Sequence, residues 1–200
     1  LYIEGVTQAR KFMSAARAAA RLKPVVAIKA GRHAEGARAA SSHTGALAGS
    51  DEVYAAAMRR AGMLRVNDLE ELFDAVQTLA LARPPKGDRI AIVTNGGGAG
   101  VIATDSVIEH GGRLAALSDE VMARLDAVLP STWSRGNPID IIGDADGQRY
   151  AKAIAPLLGS PDIDALLVLH CPTAIASSSD AAKAVVQVLA GKTDSIFTSW

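Results

Sequence analysis

The amino-acid sequence predicts an α/β protein built from two doubly wound, mostly parallel domains. Strand-like apolar runs alternate with helical runs along the chain, which is the pattern of βαβ units. Hydrophobic residues make up 49% of the 200 residues, whereas aromatic residues make up only 4%. This aliphatic composition is typical of parallel sheets with helices on both faces.

The first half of the chain alternates strands and helices around one long loop. The predicted elements are a strand at 1–4, a helix at 8–22, a strand at 24–29, a long loop through His43, a helix at 51–61, a strand at 63–66 and a helix at 68–82. Ser50 followed by Asp51 predicts an N-cap, because a side-chain oxygen and a negative charge both stabilise a helix N-terminus. Asn67, with Glu70 three positions on, predicts a second cap.

A segment with two prolines and a glycine, residues 83–88, separates the halves and ends the preceding helix. We therefore predict domains at 1–84 and 88–200; the alternative is that the second half extends the first sheet. The elements predicted for the second half are a strand at 89–94, a glycine turn, a helix at 98–110, a strand at 114–117, a helix from the Ser118 cap to 129, a helix at 146–158, a strand at 165–170, a helix at 178–190 and a strand at 195–199.

Composition and charge exclude several classes of protein. The 21 basic and 21 acidic residues balance, so neither a nucleic acid nor a membrane surface is indicated as a partner. The single Cys171 excludes an internal disulfide framework and fits a reducing compartment. No apolar run reaches the ~20 residues of a membrane span, and no signal peptide is evident. We expect a cytoplasmic protein and, because Leu1 lies in a strand-like run, a fragment of a longer polypeptide.

His43 lies among small residues at 42–49 (SHTGALAG), shortly before the helix predicted at 51–61. An imidazole has a pKa near ~6.5, so at neutral pH a ring nitrogen is free to attack phosphorus. Glycines let the backbone approach an anion, and a helix N-terminus supplies positive potential for a phosphoryl-imidazole. The pattern fits a phosphohistidine, although a loop histidine bonded to backbone is the commoner outcome for a lone histidine.

Asn95, Gly96, Gly97 and Gly98 begin a glycine turn at 94–100 (TNGGGAG), between a predicted strand and a predicted helix. Such a turn can present helix N–H groups to a phosphate. It is not the dinucleotide fingerprint, because the last glycine of that motif would fall at Val101. The glycines are explained equally well by contact with a phosphate and by tight packing between the strand and the helix.

Glu4 follows the first predicted strand, and ligands of open α/β sheets bind at the carboxyl ends of strands. Its carboxylate could accept the second imidazole N–H of His43; a solvated acid is the alternative. Residues 136–140 (GNPID) predict an extended turn before a short strand, with a structured loop as the alternative. The residues predicted to be structural are His33, His110, His170 and Cys171, and no metal-ligand spacing is evident.

Five segments, taken in order, resemble the NDP-forming acyl-CoA synthetases, the superfamily of ADP-forming acetate–CoA ligase and succinyl-CoA synthetase. These segments are LYIEG at 1–5, KAGR at 29–32, SSHTGALAG at 41–49, NGGGAG at 95–100 and GNPID at 136–140. The resemblance covers essentially the whole chain, and the histidine stretch is its most specific part. It implies two flavodoxin-like domains of the succinyl-CoA-synthetase type.

The resemblance implies a function for the site residues. His43 is then the phosphorylated intermediate, and Glu4 steadies it. Thr44 and Gly45, together with the glycine turn of the second domain, would bind phosphate. The implied reaction is acyl-CoA + NDP + phosphate ⇌ carboxylic acid + CoA + NTP, in which a covalent intermediate divides one transfer into two easier ones.

The resemblance also implies partners beyond these residues: a CoA-binding domain, an ATP-grasp domain or subunit, and an oligomer. CoA, ADP or ATP, and Mg²⁺ would serve the full-length enzyme; no cofactor or metal is expected within the fragment, which alone is expected to be inactive. A different class is the synthetase-like, acetyl-CoA-binding region of a protein lysine acetyltransferase. An ATP-grasp segment in the parent chain favours the ligase, and an appended acetyltransferase domain favours the regulator.

Overall fold

Two parallel β-sheets covered by helices organise the chain in a computed structural model, which describes residues 1–44 and 50–200 and, for residues 41–44, the backbone alone. The chain divides into a first unit, Leu1–Leu81, and a second unit, Ala82–Trp200. The strand pairings among the described residues are all parallel. The predicted α/β class with mostly parallel sheets is confirmed.

The first unit is a three-stranded sheet in the order β1–β2–β3. Its elements are β1 (Tyr2–Ile3), α1 (Ala9–Leu22), β2 (Val26–Lys29), α2 (Ala34–Thr44), α3 (Asp51–Ala61), β3 (Leu64–Val66) and α4 (Leu69–Leu81). Because successive side chains of a strand point to opposite faces, β2 contributes to two clusters. Ala27 packs with Met58 of α3, whereas Val26 and Ile28 pack on the side of α4. The sheet is thus buried on both faces, as the apolar run predicts.

The long loop predicted through His43 is wrong, because helix α2 begins at Ala34 and ends at Thr44. Gly31 turns the chain after β2 with a φ of 70°, a conformation that glycine adopts readily. The alanine-rich residues 34–40 then favour a helix, since alanine has the highest helix propensity. The backbone of His43 therefore belongs to the last turn of α2. The side chains of His43 and Thr44, and all of Gly45, lie outside the described residues.

Helices α3 and α4 begin close to their predicted positions, but their caps differ from the prediction. Ser50 occupies the N-cap position of α3, yet its Oγ donates to Glu52 Oε2 (3.0 Å) and caps no backbone N–H. In α4 the cap is Asp68, whose Oδ1 accepts from the Glu71 N–H (2.8 Å). Asn67 instead donates its backbone N–H to Glu71 Oε2 (2.7 Å), so the cap lies one residue later than predicted.

The second unit is a parallel sheet in the order β5–β4–β7–β8, with β6 also paired to β4. Its elements are β4 (Arg89–Thr94), α5 (Gly97–Glu109), β5 (Arg113–Leu114), α6 (Asp119–Asp126), β6 (Ile139–Asp140), α7 (Gly147–Ile154), β7 (Ala165–Leu169), α8 (Ser178–Leu189) and β8 (Ile196–Ser199). The helices α6 and α7 are shorter than predicted. After α6 the chain makes a tight turn, in which Val128 donates to Leu125 O (3.1 Å). Gly159, with a φ of 72°, ends the turns that follow α7.

Two short strands share one edge of β4. β5 pairs with its beginning, Arg89 and Ile90, and β6 pairs with its end, Val93 and Thr94. This sharing limits β5 to two residues and corrects the strand predicted at 114–117. Asn137 joins the two pairings: Ile92 N donates to its Oδ1 (3.0 Å), and its Nδ2 donates to the carbonyl oxygens of Ile90 (2.8 Å) and Ala115 (3.0 Å).

The core of the second unit is aliphatic, and its largest fully buried side chain is Tyr150. Val93 and Val168 on the central strands pack with Leu125 of α6 and Ile154 of α7, all 0% exposed. Each such aliphatic side chain contributes roughly 1.5–3 kcal/mol when it is removed from water. This packing fixes the two central strands, and hence the positions of the residues that follow them.

Candidate functional site

The glycine turn of the second unit lies where β4 passes into helix α5. Gly96 is the N-cap of α5, and the first helical hydrogen bond runs from Gly100 N to Gly96 O (3.1 Å). The N–H groups of Gly97, Gly98 and Ala99 consequently have no hydrogen-bond acceptor among the described residues. Unsatisfied N–H groups at a helix N-terminus form a ready anion site. Gly97 and Gly98 are exposed, so an anion could reach them.

Asn95 fastens this turn to the end of the neighbouring strand β7. Its Nδ2 donates to Cys171 O (2.8 Å), and its Oδ1 accepts from Cys171 N (2.7 Å). The residue is 3% exposed, and both functional groups of its amide are engaged. Thr94 adds a second brace, because its Oγ1 accepts from Gly96 N (3.0 Å). Asn95 therefore shapes the turn, and the N–H groups beyond it remain available to a ligand.

The glycines of the turn differ in how closely other atoms approach them. A Cβ at Gly96 would lie 2.5 Å from Cys171 Sγ, and a Cβ at Gly97 would lie 2.8 Å from Asp140 Oδ2. At Gly100 the nearest atoms, of Thr94 and Pro138, would be 3.1 and 3.2 Å away. Gly98 has no such neighbour within 4 Å. Close packing thus requires glycine at 96 and 97, while 98 is open.

The segment 136–140 supports the same edge of the sheet. Asp140 Oδ1 accepts from the backbone N of Ile142 (2.9 Å), and its other oxygen lies beside Gly97. Ser134 Oγ donates to Pro138 O (2.7 Å) and accepts from Asp140 N (2.9 Å). Ile142 has a φ of 71°, which is unusual for a β-branched residue and stores backbone strain. The predicted motif is therefore a braced loop next to the glycine turn.

A hydrogen-bonded cluster that the sequence did not reveal lies at the end of β7. Tyr150 Oη donates to Leu169 O (3.1 Å) and lies 3.1 Å from His170 Nδ1, while His170 Nε2 lies 2.8 Å from Ser178 Oγ. Since the phenol has one proton, the network assigns the ring proton to Nδ1 and lets Nε2 accept from Ser178. Burial lowers the pKa of His170 and raises that of Tyr150. The neutral pair braces the strand end adjoining Cys171.

In the first unit, Glu4 directly follows β1 and is half-buried, at the carboxyl end of the strand as predicted. The adjacent strand β2 ends in Lys29, which is 3% exposed. Asp51, at the beginning of α3, holds Arg65 of β3 in a two-pronged ion pair (2.7 and 2.8 Å). Lys29 was not singled out from the sequence by itself. The sequence does contain an indication of its role: the alternation of side chains along β2 places this lysine on the face of the sheet that packs in the core.

The described part of the chain has no helix that is long and apolar enough to cross a membrane. Within residues 1–44 and 50–200, no group of three or more His, Cys, Asp or Glu side chains could hold a metal ion.

Sequence comparison assigns each half of the chain to a known domain. Residues 1–79 match the succinyl-CoA ligase like flavodoxin domain, and residues 90–195 match the Ligase-CoA domain. The fold and these matches define an α/β protein of the succinyl-CoA ligase type. The chain belongs to the NDP-forming acyl-CoA synthetase family, which includes the ADP-forming acetate–CoA ligases.

Relatives match the chain over almost its full length. It is 42% identical to the α subunit of ADP-forming acetate–CoA ligase I of Pyrococcus furiosus, covering 94% of this chain and 40% of the relative. It is 33% identical to the ADP-forming 4-hydroxybutyrate–CoA ligase of Nitrosopumilus maritimus, covering 94% of this chain and 27% of that protein. The chain thus spans less than half the length of these curated relatives.

A solved structure shows the same fold. The dinucleotide-forming acetyl-coenzyme A synthetase 1 of Ca. Korarchaeum cryptofilum, in complex with phosphate and ADP, superposes with a TM-score of 0.86 at 37% identity. The match covers 98% of this chain and 43% of the synthetase chain. Its apo form matches with a TM-score of 0.84.

Proposed function

We propose that this chain is part of an NDP-forming acyl-CoA synthetase and that His43 carries the phosphoryl group during the reaction. The main support is the likeness, over 98% of the chain, to a synthetase whose structure contains phosphate and ADP. The whole reaction converts acyl-CoA, NDP and phosphate into carboxylic acid, CoA and NTP. The chain spans only 40% of a curated relative, so we expect the 200 residues alone to give no ligase turnover.

Three transfers make up the proposed reaction. A phosphate oxygen attacks the thioester carbonyl, the C–S bond breaks, and CoA leaves as the thiolate while an acyl phosphate forms. An imidazole nitrogen of His43 then attacks phosphorus, and the P–O bond to the carboxylate breaks. Finally, the terminal phosphate oxygen of NDP attacks the phosphohistidine, the P–N bond breaks, and NTP forms. Each step is a displacement that positioning and fixed charge accelerate.

Glu4 is proposed to orient His43. The carboxylate would accept the N–H of the imidazole nitrogen that does not attack, which holds the ring and favours the reactive tautomer. This role is supported by the position of Glu4 at the carboxyl end of β1. The neighbouring parallel strand β2 ends at the same edge of the sheet, in Lys29. Thr44 and Gly45 are proposed to contact the phosphoryl group from the same segment as His43.

The glycine turn is proposed as the phosphate site of the second unit. The N–H groups of Gly97 and Gly98 would donate to phosphate oxygens at the positive end of the α5 dipole. Gly96 would let the backbone approach, and Asn95 would hold the turn through Cys171. The support is the absence of an acceptor for these N–H groups in the described residues.

The remaining components of the enzyme are proposed to lie in other domains or subunits. A CoA-binding domain and an ATP-grasp domain would bind CoA and the nucleotide with Mg²⁺, and the assembly would be an oligomer in the cytoplasm. The relatives named above are CoA ligases, and they give no support to the alternative of a lysine acetyltransferase regulatory region.

The proposal is tested by phosphorylating the full-length protein with NTP that carries a labelled terminal phosphate. Wild type is expected to gain an acid-labile, base-stable label, and His43→Ala is expected to gain none. His33→Ala is the matched control, since His33 is an exposed histidine of the same unit. Acid-labile label of equal amount on His43→Ala would refute the assignment.

A further inference from the structure

Lys29 is a buried lysine at the carboxyl end of the central strand of the first unit. It pairs in register with Ile3 of β1 and is 3% exposed. Alternation along β2 places it on the same face as Ala27, which packs against Met58 of α3. A charged group in such a place is unfavourable unless something compensates for its lost hydration. Lys29 thus departs from the apolar pattern of its strand, and its ammonium needs compensating contacts.

The described contacts satisfy only part of this ammonium. Its Nζ donates to Ala30 O and lies 4.7 Å from the centre of the Tyr54 ring, a cation–π contact. The Tyr54 hydroxyl is engaged elsewhere, since it accepts from Val6 N (3.0 Å). An ammonium has three donors, so two N–H groups of Lys29 have no acceptor among the described residues.

The charged groups around Lys29 are matched with one exception. Asp51 of α3 and Arg65 of β3 neutralise each other in their two-pronged ion pair. Glu4, which follows β1, has no hydrogen bond or ion pair among the described residues, and its charge raises the pKa of Lys29. Burial is the largest influence and lowers that pKa, Asp51 raises it, and Arg65 lowers it further. Lys29 and Glu4 thus have no ion-pair partner among the described residues.

Lys29 is linked to His43 through the proposed role of Glu4. Glu4 is the proposed partner of the His43 ring, and Asp51 follows His43 by eight positions in the chain. Arg32, another cation that follows β2, donates to Asn67 Oδ1 (2.8 Å) and is exposed. Lys29, by contrast, is buried, and two of its N–H groups have no acceptor among the described residues.

We propose that Lys29 is the fixed cation of the phosphohistidine site, donating its two unused N–H groups to the oxygens of the phosphoryl group on His43. This inference rests on the proposed function of His43. The ammonium would offset the negative charge that develops on the phosphoryl oxygens, and Glu4 would orient the ring as proposed above. Because the cation is already buried and braced by Tyr54, little reorganisation is needed during the transfer.

The test compares Lys29→Met and Lys29→Arg with wild type in the full-length protein, by the rate of His43 phosphorylation from labelled NTP. Methionine suits the buried slot but removes the charge, and we expect the rate to fall about tenfold or more. Arginine keeps the charge, so we expect it to recover part of the rate. Lys23→Met, an exposed lysine after α1, is the matched control and should phosphorylate as wild type.

A pH profile distinguishes this role from a purely structural one. The groups facing Lys29 are Glu4 from β1, Asp51 and Tyr54 from α3, and Arg65 from β3. As the pH rises toward the ordinary lysine pKa of 10.5, wild type should lose phosphorylation, whereas Lys29→Arg should keep it because a guanidinium stays charged. This comparison also decides the matter if Lys29→Met fails to fold.

Failure of the inference and failure of the proposed function give different results. The role of Lys29 would be overturned if a folded Lys29→Met variant were phosphorylated at the wild-type rate. It would also be overturned if wild type and Lys29→Arg lost phosphorylation over the same alkaline pH range. In both cases His43 would still carry the label. Label that survives His43→Ala would instead remove the function on which the inference rests.

Discussion

The side-chain amide of Asn95 makes two hydrogen bonds with the main chain of Cys171, one in each direction (2.8 and 2.7 Å). A residue at the end of β4 is thereby tied to the residue following His170 at the end of β7. The glycine turn begins at this tie, so its position depends on a side chain and not on the sheet ladder alone.

Asn95→Ala should destabilise the second unit by roughly 1–3 kcal/mol, because it leaves the N–H and C=O of Cys171 without partners. Asn95→Asp is the matched variant, since it keeps the acceptor of the Cys171 N–H but places a carboxylate against the carbonyl. We expect a loss for both variants in urea unfolding followed by circular dichroism. If the urea-unfolding midpoint and slope of Asn95→Ala equalled those of wild type, the two hydrogen bonds to Cys171 would contribute nothing to the free energy of unfolding.

Gly96→Ala and Gly98→Ala should differ although they lie two residues apart. The added methyl at 96 meets Cys171 Sγ at 2.5 Å, whereas 98 is open, so we expect about 1–3 kcal/mol of destabilisation at 96 alone. At 98, alanine should be neutral or slightly stabilising because it favours the helix. Thermal unfolding of the two variants measures the difference, and equal melting temperatures would contradict the packing described for Gly96.

Asn137→Ala should destabilise the protein by roughly 2 kcal/mol or more, because it removes three hydrogen bonds that the Asn137 side chain makes with Ile90 and Ile92 of β4 and with Ala115 after β5. The buried N–H of Ile92 would lose its acceptor. Asn67→Ala is the control, since the side-chain hydrogen bonds that Asn67 makes with Arg32 and Glu71 are exposed to water. The midpoints of denaturant unfolding measure which variant is less stable. If Asn67→Ala lowered the midpoint as much as Asn137→Ala, the hydrogen bonds of Asn137 would not have the stabilising role proposed.

Asp164 should give the protein an acid-sensitive contribution to stability. Three hydrogen bonds from Arg89 (3.1, 2.8 and 3.0 Å) hold the pKa of Asp164 at about 2, below its ordinary 3.8. A carboxyl with a lowered folded-state pKa stabilises above its unfolded pKa, and this stabilisation is lost as the pH falls from 3.8 toward 2.

Asp164→Asn should therefore unfold at a lower temperature than wild type at pH 7, and the difference should shrink between pH 4 and pH 2. Asp162→Asn is the control, because Asp162 lies farther from Arg89 (3.8 Å) and is more exposed. Melting temperatures across this pH range test the prediction. A difference that stays constant from pH 7 to pH 2 would mean that the ion pair is not its source.

The strands were predictable because their apolar composition is local. β4 has the predicted bounds, Arg89–Thr94, since an uninterrupted buried strand leaves its pattern in the sequence itself. The sequence does not predict helix α2, because serine, histidine and glycine near 41–45 are typical of loops although the alanines before them favour a helix. The prediction of β5 failed for a different reason: its length is set by how much of β4 it must share with β6.

The candidate site was predictable only in part. Its glycines, Glu4 and His43 stand out because few residue types suit an anion or a phosphoryl group. The hydrogen-bond partners of Asn95 and His170 cannot be inferred from the sequence. Cys171 lies 76 positions from Asn95 and Tyr150 lies 20 positions from His170, so only the tertiary fold brings each pair together. Lys29 was visible as a residue, but its burial and its Tyr54 contact depend on α3 packing over β2.

The sequence by itself determined the α/β class, the family and the order of its motifs, because these follow from local periodicity and from short segments read along the chain. The tertiary structure alone decided which groups meet: Asn95 with Cys171, Asn137 with the main chain of β4 and of Ala115, and Lys29 with the ring of Tyr54. The physical reason is that hydrogen bonding and desolvation depend on distance in space, which separation along the chain does not specify.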